Sequence, residues 1–379
     1  MEFIVTSTQL LGHLLTASKI ITTKSSLAIL DNFKFEIKEG NLTITSSDLE
    51  STITVSMPLL SNDGEGTFAV NARELTDLIK EFPEQPLTFN VNFETYNITI
   101  VSSNGKYERP FLDGMDFPQT PTLKEDIVRT IEISSGAVLA GISSTFFAAA
   151  NDEIRPIMNG IRIEFLPEEG VAFIATDAHK LSKYCNSEIQ VEEECGFVLP
   201  KKPANILKSI ISKSDDKIKL EFDDKNVVFT SKGFTYISRF IEGTYPNYKS
   251  VIPINNPYKM IVDRLELLGA VKRVSLMANK GSQLIGLAIL DNQLTISAKD
   301  FDYSTAGDET ISCQYDSDKI IIGFKSSVIL EILSNLNCND VVFELSDPSR
   351  AGIIVPHEKE NETEDYLMLA MPIMIREDE

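Results

Sequence analysis

One pattern occurs three times end to end along this chain, and a tandem repeat constrains the fold before any single residue does. Residues 29–50 read ILDNFKFEIKEGNLTITSSDLE, residues 157–180 read IMNGIRIEFLPEEGVAFIATDAHK, and residues 284–303 read LIGLAILDNQLTISAKDFDY. Each copy passes from an apolar pair through a strand, a turn and a second strand to an aspartate. The starts, Ile29, Ile157 and Leu284, lie 128 and 127 residues apart. The preceding segments keep the period: FIVTSTQLLGHLLTASKI (3–20), IEISSGAVLAGISSTFFA (131–148) and MIVDRLELLGAVKRVSLM (260–277) each read as a short strand running into an amphipathic helix. A second strand–helix theme follows in each copy, in FAVNARELTDLIKEF, FVLPKKPANILKSII and IIGFKSSVILEILSN. Period-2 strands come after it, through Leu87, Phe89, Val91 and Phe93, then Ile218, Leu220 and Phe222, then Val341, Phe343 and Leu345. The expected fold is therefore α+β: three tandem modules, each of two strand–helix–strands halves. The expected boundaries are 1–124, 125–252 and 253–379, with the proline-rich FPQTPTLKED and IPINNPY near the joins.

Composition narrows the function. A net charge of −21 disfavours non-specific affinity for nucleic acid or anionic membranes. The N-terminus lacks the basic region and apolar run of a signal peptide, and no apolar stretch is long enough to span a membrane. Cys185, Cys195, Cys313 and Cys338 form no C-x-x-C pair and read as buried free thiols, which suits a reducing cytoplasm.

The stretch ATDAHKL (175–181) places Asp177 two residues from His179, one of three histidines, and raises the possibility of a hydrolase. Asp and His two apart on a strand share a face. However, there is no G-x-S-x-G elbow, H-E-x-x-H helix, phosphate-binding glycine loop or paired-cysteine pattern. The same register carries Asp48 in the first copy and Asp300 or Asp302 in the third, without the histidine. A turn aspartate that accepts backbone N–H bonds explains a recurring Asp better than catalysis does. No catalytic residue, metal or cofactor is expected.

The helices carry basic faces. Leu75, Leu78 and Ile79 form one stripe with Arg73 and Lys80 opposite, among Glu74, Asp77 and Glu81. Ile206, Leu207, Ile210 and Ile211 form another, with Lys201 and Lys202 at the helix start and Lys208 pointing away. Arg264, Lys272, Arg273 and Lys280 lie on or beside a third helix. If such helices line one concave surface, scattered cations become a positive lining inside an acidic protein.

The whole chain resembles the bacterial DNA polymerase III beta subunit family, the replicative sliding clamps. The resemblance rests on the triple repeat with ATDAHKL, RPIMNG (155–160), YPNYKSVIP (245–253), DFP (116–118) and LAMPIMI (369–375), in that family's order and spacing. It implies a homodimeric ring with helices inside and sheets outside that encircles duplex DNA without reading sequence. It makes Lys19, Lys24, Arg73, Lys80, Lys201, Lys202, Lys208, Arg264, Lys272, Arg273 and Lys280 the DNA-facing set. It also implies a cleft between modules two and three that docks short motifs of the clamp loader and of replicative and repair polymerases. By matching motif, that cleft takes Met158, Gly160, Thr176, Ala178, His179, Lys180, Leu181, Pro246, Val251, Leu369, Met371, Pro372 and Ile373. Leu181, Val251, Leu369 and Met371 would make an apolar pocket for Leu or Phe anchors, with His179 and Lys180 as a polar rim.

This chain departs from the family pattern in places. Ala178 replaces the usual glycine, Ser250 and Met374 stand where arginine is common, and the acidic residues 376–379 extend the end. The implied dimer face joins module one to module three through Tyr107, Leu276 and Met277, with Arg109 where an apolar residue is usual. The alternative is a repeat scaffold that binds proteins but not DNA.

Overall fold

The computed structural model of the chain describes residues 1–22, 27–212 and 217–375. Lys24 and the acidic end 376–379, singled out above, lie outside the described residues. Among the described residues the α-helices are α1 (Ser7–Ala17), α2 (Ala72–Lys80), α3 (Ser135–Thr145), α4 (Lys201–Ile210), α5 (Arg264–Val274) and α6 (Ser326–Asn335). They fall where the repeat requires, one per half-module. Local chemistry sets their ends. The Asn71 side chain accepts from Glu74 N at the start of α2, and Asp263 accepts from Glu266 N at the start of α5. Leu75 and Ile79 are buried along α2 while Arg73 and Lys80 are exposed. In α5, Leu267, Ala270, Val271 and Val274 are buried, and Lys272 and Arg273 in the last turn complement the helix dipole.

The chain forms two compact units. The first, Met1–Gly136 with Asn205–Phe240, holds a five-stranded and a nine-stranded antiparallel sheet. The five-stranded sheet runs Ser61–Asn62, Glu2–Thr6, Pro86–Asn92, Asn97–Val101, Lys106–Pro110. The nine-stranded sheet passes from the first repeat into the second where Ser51–Pro58 pairs with Phe234–Arg239. At that join Tyr236 is fully buried and its hydroxyl donates to Ser51 Oγ at 3.2 Å. Leu87, Phe89 and Val91 point inward as the alternation predicts, whereas Phe93 lies beyond the strand end and is exposed.

The second unit, Ala137–Ala204 with Ile241–Glu379, holds an eight-stranded and a five-stranded sheet. Its eight-stranded sheet passes from the second repeat into the third where Lys180–Asn186 pairs with Glu364–Ala370, setting Leu181 opposite Leu369. The five-stranded sheet begins at the strand Thr305–Ser312. Its core gathers Leu267, Val271, Ile285, Leu287, Phe324, Ile332 and Phe343, so α5 and α6 pack on that layer. Lys106–Pro110 and Thr305–Ser312 are each the last strand of a five-stranded sheet, and both carry charged side chains, a common guard on open edges.

Candidate functional site

ATDAHKL forms a hairpin turn. Its strands are Gly170–Thr176 and Lys180–Asn186, so Asp177 and His179 sit in the turn between them rather than side by side on one strand. Asp177 Oδ1 accepts from His179 N and Lys180 N, both at 2.9 Å. Asp48 Oδ1 does the same for Glu50 N and Ser51 N, and Asp300 Oδ1 for Asp302 N and Tyr303 N. The third-copy equivalent is thus Asp300, and all three aspartates are turn formers. Asn92, Asp223 and Asp347 repeat the device in the second half of each module, accepting from Glu94 N, Lys225 N and Ser349 N. Ala178 has φ 75°, the left-handed region where glycine is the usual residue and a Cβ is strained.

Lys180 corrects the expectation of a charged rim. Its side chain is 9% exposed, and its ammonium lies 2.5 Å from Asp177 Oδ2 and 2.9 Å from Glu331 Oε2 on α6. A desolvated lysine is retained here because two carboxylates surround it. Burial pulls its pKa down, but the hydrogen bonds to Asp177 and Glu331 outweigh that and leave it raised. Burial pushes the Asp177 carboxyl up, yet its bonds from the Lys180 ammonium and from the Lys180 and His179 N–H groups hold it below the ordinary aspartate value. A lowered carboxyl stabilises the fold above its unfolded pKa and loses that contribution as pH falls through the folded value. The Tm gap between the wild type and Asp177→Asn is therefore expected to be full above about pH 5 and to shrink as the pH drops below it. A gap that stays constant down to acid unfolding would contradict this.

The motif residues lie in four segments of the second unit, and three of these segments share one apolar cluster. Leu181 and Leu369 are 1% and 2% exposed and join Leu166, Ala172, Ile174, Ala351 and Tyr248 in one apolar cluster. Met158, Gly160 and Thr176 are also buried. These five are covered by packing rather than open on the surface, and Leu181 and Leu369 are register partners on adjacent strands within the apolar cluster. Ala178, His179, Pro246, Val251 and Met371 are exposed, with Pro372 and Ile373 half-buried, so Val251 and Met371 are the large exposed apolar side chains of the set. Met371 N donates to His179 O at 2.8 Å, which ties the turn to the C-terminal strand.

YPNYKSV is fixed by a residue that the sequence reading passed over. Tyr248 is 5% exposed and its hydroxyl donates to Glu164 Oε2 at 2.9 Å; Glu164, also buried, pairs with Arg162. Tyr248→Phe would leave that carboxylate short of a donor, so a stability loss of about 1–3 kcal/mol is expected in denaturant titration, and an unchanged midpoint would contradict it. Glu331 was also missed, since only its contact with Lys180 marks it.

The basic residues divide. Lys19, Lys80, Lys202, Lys208, Lys272 and Lys280 are exposed, and Arg73 is exposed with Asp77 at 3.9 Å. Arg264 is half-buried and donates to Cys338 O and Leu333 O, binding α5 to the end of α6. Lys201 donates to Ala149 O and Asn151 Oδ1 and lies over the Phe146 ring. Arg273 makes a two-pronged bond to Glu309, with Nε at 2.9 Å. The last three are therefore engaged within the protein.

At the open edges, Tyr107 and Leu276 are exposed, Leu276 to 77%, and Met277 is half-buried. Phe301 and Tyr303, at the turn leading into Thr305–Ser312, are exposed as well. Arg109 pairs with Glu74 at 2.8 Å. All four cysteines are free; Cys313 is buried, while Cys185, Cys195 and Cys338 are only half-buried, a correction to the expectation for the set. Among the described residues no His, Cys, Asp and Glu group is placed to hold a metal, and no helix is long and apolar enough to cross a membrane.

Comparison with known proteins gives this geometry a family. The DNA polymerase III beta subunit N-terminal, central and C-terminal domain models match residues 1–121, 132–247 and 249–372. The beta sliding clamp of Haemophilus influenzae is 25% identical over 98% of this chain and all of its own length, and that of Staphylococcus aureus 26% over 98% and 99%. The DNA polymerase III subunit beta of Pseudomonas aeruginosa shares the fold at a TM-score of 0.91 with 22% identity, and the Bacillus subtilis sliding clamp at 0.88 with 23%; each match covers 99% of this chain and all of the other. With all three domain models in order along its length, the chain belongs to the DNA polymerase III beta subunit family, the beta sliding clamps, which are processivity factors rather than catalysts.

Proposed function

We propose that two copies of this chain close into a ring around duplex DNA and tether the replicative polymerase, with each protomer docking partners through the surface built on ATDAHKL. The observation that carries this reading is sheet continuity. Strand pairing runs from the first repeat into the second and from the second into the third, leaving Lys106–Pro110 and Thr305–Ser312 as open edges in the first and third modules. An edge in each end module suits head-to-tail closure by a second copy. The boundaries 1–124, 125–252 and 253–379 stand with this proposal as its three modules.

A ring reconciles function with charge. Topology holds the DNA, so a net charge of −21 need not be overcome by tight binding. Exposed Lys19, Lys80, Lys208 and Lys272 serve as loose, sequence-independent phosphate contacts. Arg264, Lys201 and Arg273, engaged within the protein, contribute less. Clamp loader, replicative polymerase and repair polymerases are the proposed partners of the Val251–Met371 surface, and the cytoplasm is the proposed compartment. Reversing the charge at Lys19, Lys80, Lys208 and Lys272 is expected to shorten the lifetime on DNA and flatten its salt dependence, while peptide binding is kept. A scaffold that binds only proteins predicts no DNA retention in either form.

A further inference from the structure

We infer that Glu331 is a positioning residue for the partner cleft: through Lys180 it fastens the Thr176–Lys180 turn to helix α6. The inference rests on the cleft reading above and explains how this chain keeps that surface in shape. The turn contains a strained residue, Ala178 at φ 75°, and strained backbone persists only where its surroundings over-determine it. Inside the turn, Thr176 Oγ1 donates to Lys180 O and accepts from Ala178 N, and Asp177 Oδ1 holds the next two N–H groups. All of these bonds are local and move with the turn. The Lys180 ammonium reaches out of it, to Glu331 Oε2 at 2.9 Å.

Glu331 sits on a helix anchored by buried Val328, Ile329, Ile332 and Leu333, and α6 also packs against the strand Glu364–Ala370 that leads to Met371. One rigid element therefore braces both sides of the His179 O–Met371 N contact. Glu331 is half-exposed and is not among the cleft residues, so its effect on a ligand passes through Lys180. A turn with glycine at 178 would need this brace less, which links the Ala178 departure to the Glu331 contact.

The test uses the full-length protein and a fluorescein-labelled hexapeptide ending in Leu-Phe. Glu331→Ala is expected to raise the peptide Kd about 5-fold and to speed amide exchange at His179 and Lys180, with oligomeric mass unchanged. Adding Ala178→Gly to Glu331→Ala should restore most of the affinity. Wild-type Kd and wild-type exchange in Glu331→Ala would overturn the inference, as would an equal loss of affinity whether residue 178 is alanine or glycine. Should Glu331→Ala not fold, Glu331→Gln, which keeps shape and removes charge, carries the same comparison. Met371→Ala separates the two readings. If it loses the peptide while Glu331→Ala behaves as wild type, the cleft stands and the brace falls. If it binds as wild type, the cleft reading falls, and the exchange rates alone decide whether the turn is braced.

Discussion

Replacing Val251 and Met371 together by alanine is expected to weaken binding of the Leu/Phe hexapeptide by about 100-fold, with the fold intact. Both side chains are part-exposed in the free protein, at 49% and 39%, so their truncation opens no large internal cavity. Covering each with an apolar anchor is worth roughly 1–1.5 kcal/mol at about 25 cal/mol per Å², and every 1.4 kcal/mol is about a tenfold change in Kd. The buried neighbours behave differently. Leu369→Ala lies in the apolar cluster at 2% exposure and should cost about 2–5 kcal/mol of stability whether or not a peptide is present. Fluorescence anisotropy and denaturant titration on the same variants separate the two effects. An unchanged peptide Kd in the Val251/Met371 pair would remove the cleft from the account.

The second large effect concerns ring closure. Leu276→Asp is expected to leave a monomer of 42.2 kDa at micromolar concentration, where the wild type forms the proposed dimer. A leucine that is 77% exposed beside an open sheet edge would gain its burial from the proposed partner copy, and a carboxylate buried there unpaired costs several kcal/mol. Because the side chain makes little use of its own fold, secondary structure and unfolding midpoint should hold. Phe301→Ser and Tyr303→Ser, on the neighbouring turn, should weaken the dimer less. Sedimentation equilibrium reads this directly. A wild-type mass that is already monomeric, or a Leu276→Asp mass equal to a dimeric wild type, would contradict the proposed closure.

Much of this architecture was legible because the repeat supplied internal controls. The recurrence of Asp48, Asp177 and Asp300 or Asp302 separated a turn former from a catalytic acid, and the Asx bonds of Asp48, Asp177 and Asp300 bear that out. Period-3.6 stripes located the helices, and period-2 strands located the inward faces, up to Phe93, where the strand ends one residue early. What stayed hidden depends on contacts distant in sequence. Nothing local in ATDAHKL reveals that Lys180 is buried, because its partner Glu331 lies 151 residues onward on α6. Arg264 reads as a helix-face cation until the carbonyls of Leu333 and Cys338 are beside it. Tyr248 sits inside a quoted motif, but its tie to Glu164 follows only from the tertiary fold. Apolar residues such as Leu181 and Val251 look equivalent in sequence, and only the tertiary packing makes Leu181 buried and leaves Val251 half-exposed.

Retention on DNA with and without ends tests the central claim most directly. The dimer is loaded by a bacterial clamp loader onto a nicked circular plasmid, freed of loader and excess protein by gel filtration, and followed before and after one restriction cut. Topological encirclement predicts that the protein co-elutes with the circle at salt high enough to abolish ordinary phosphate binding, and that it leaves within the time needed to slide off once the plasmid is linear. Equal release from circular and linear plasmid under the same salt would contradict encirclement.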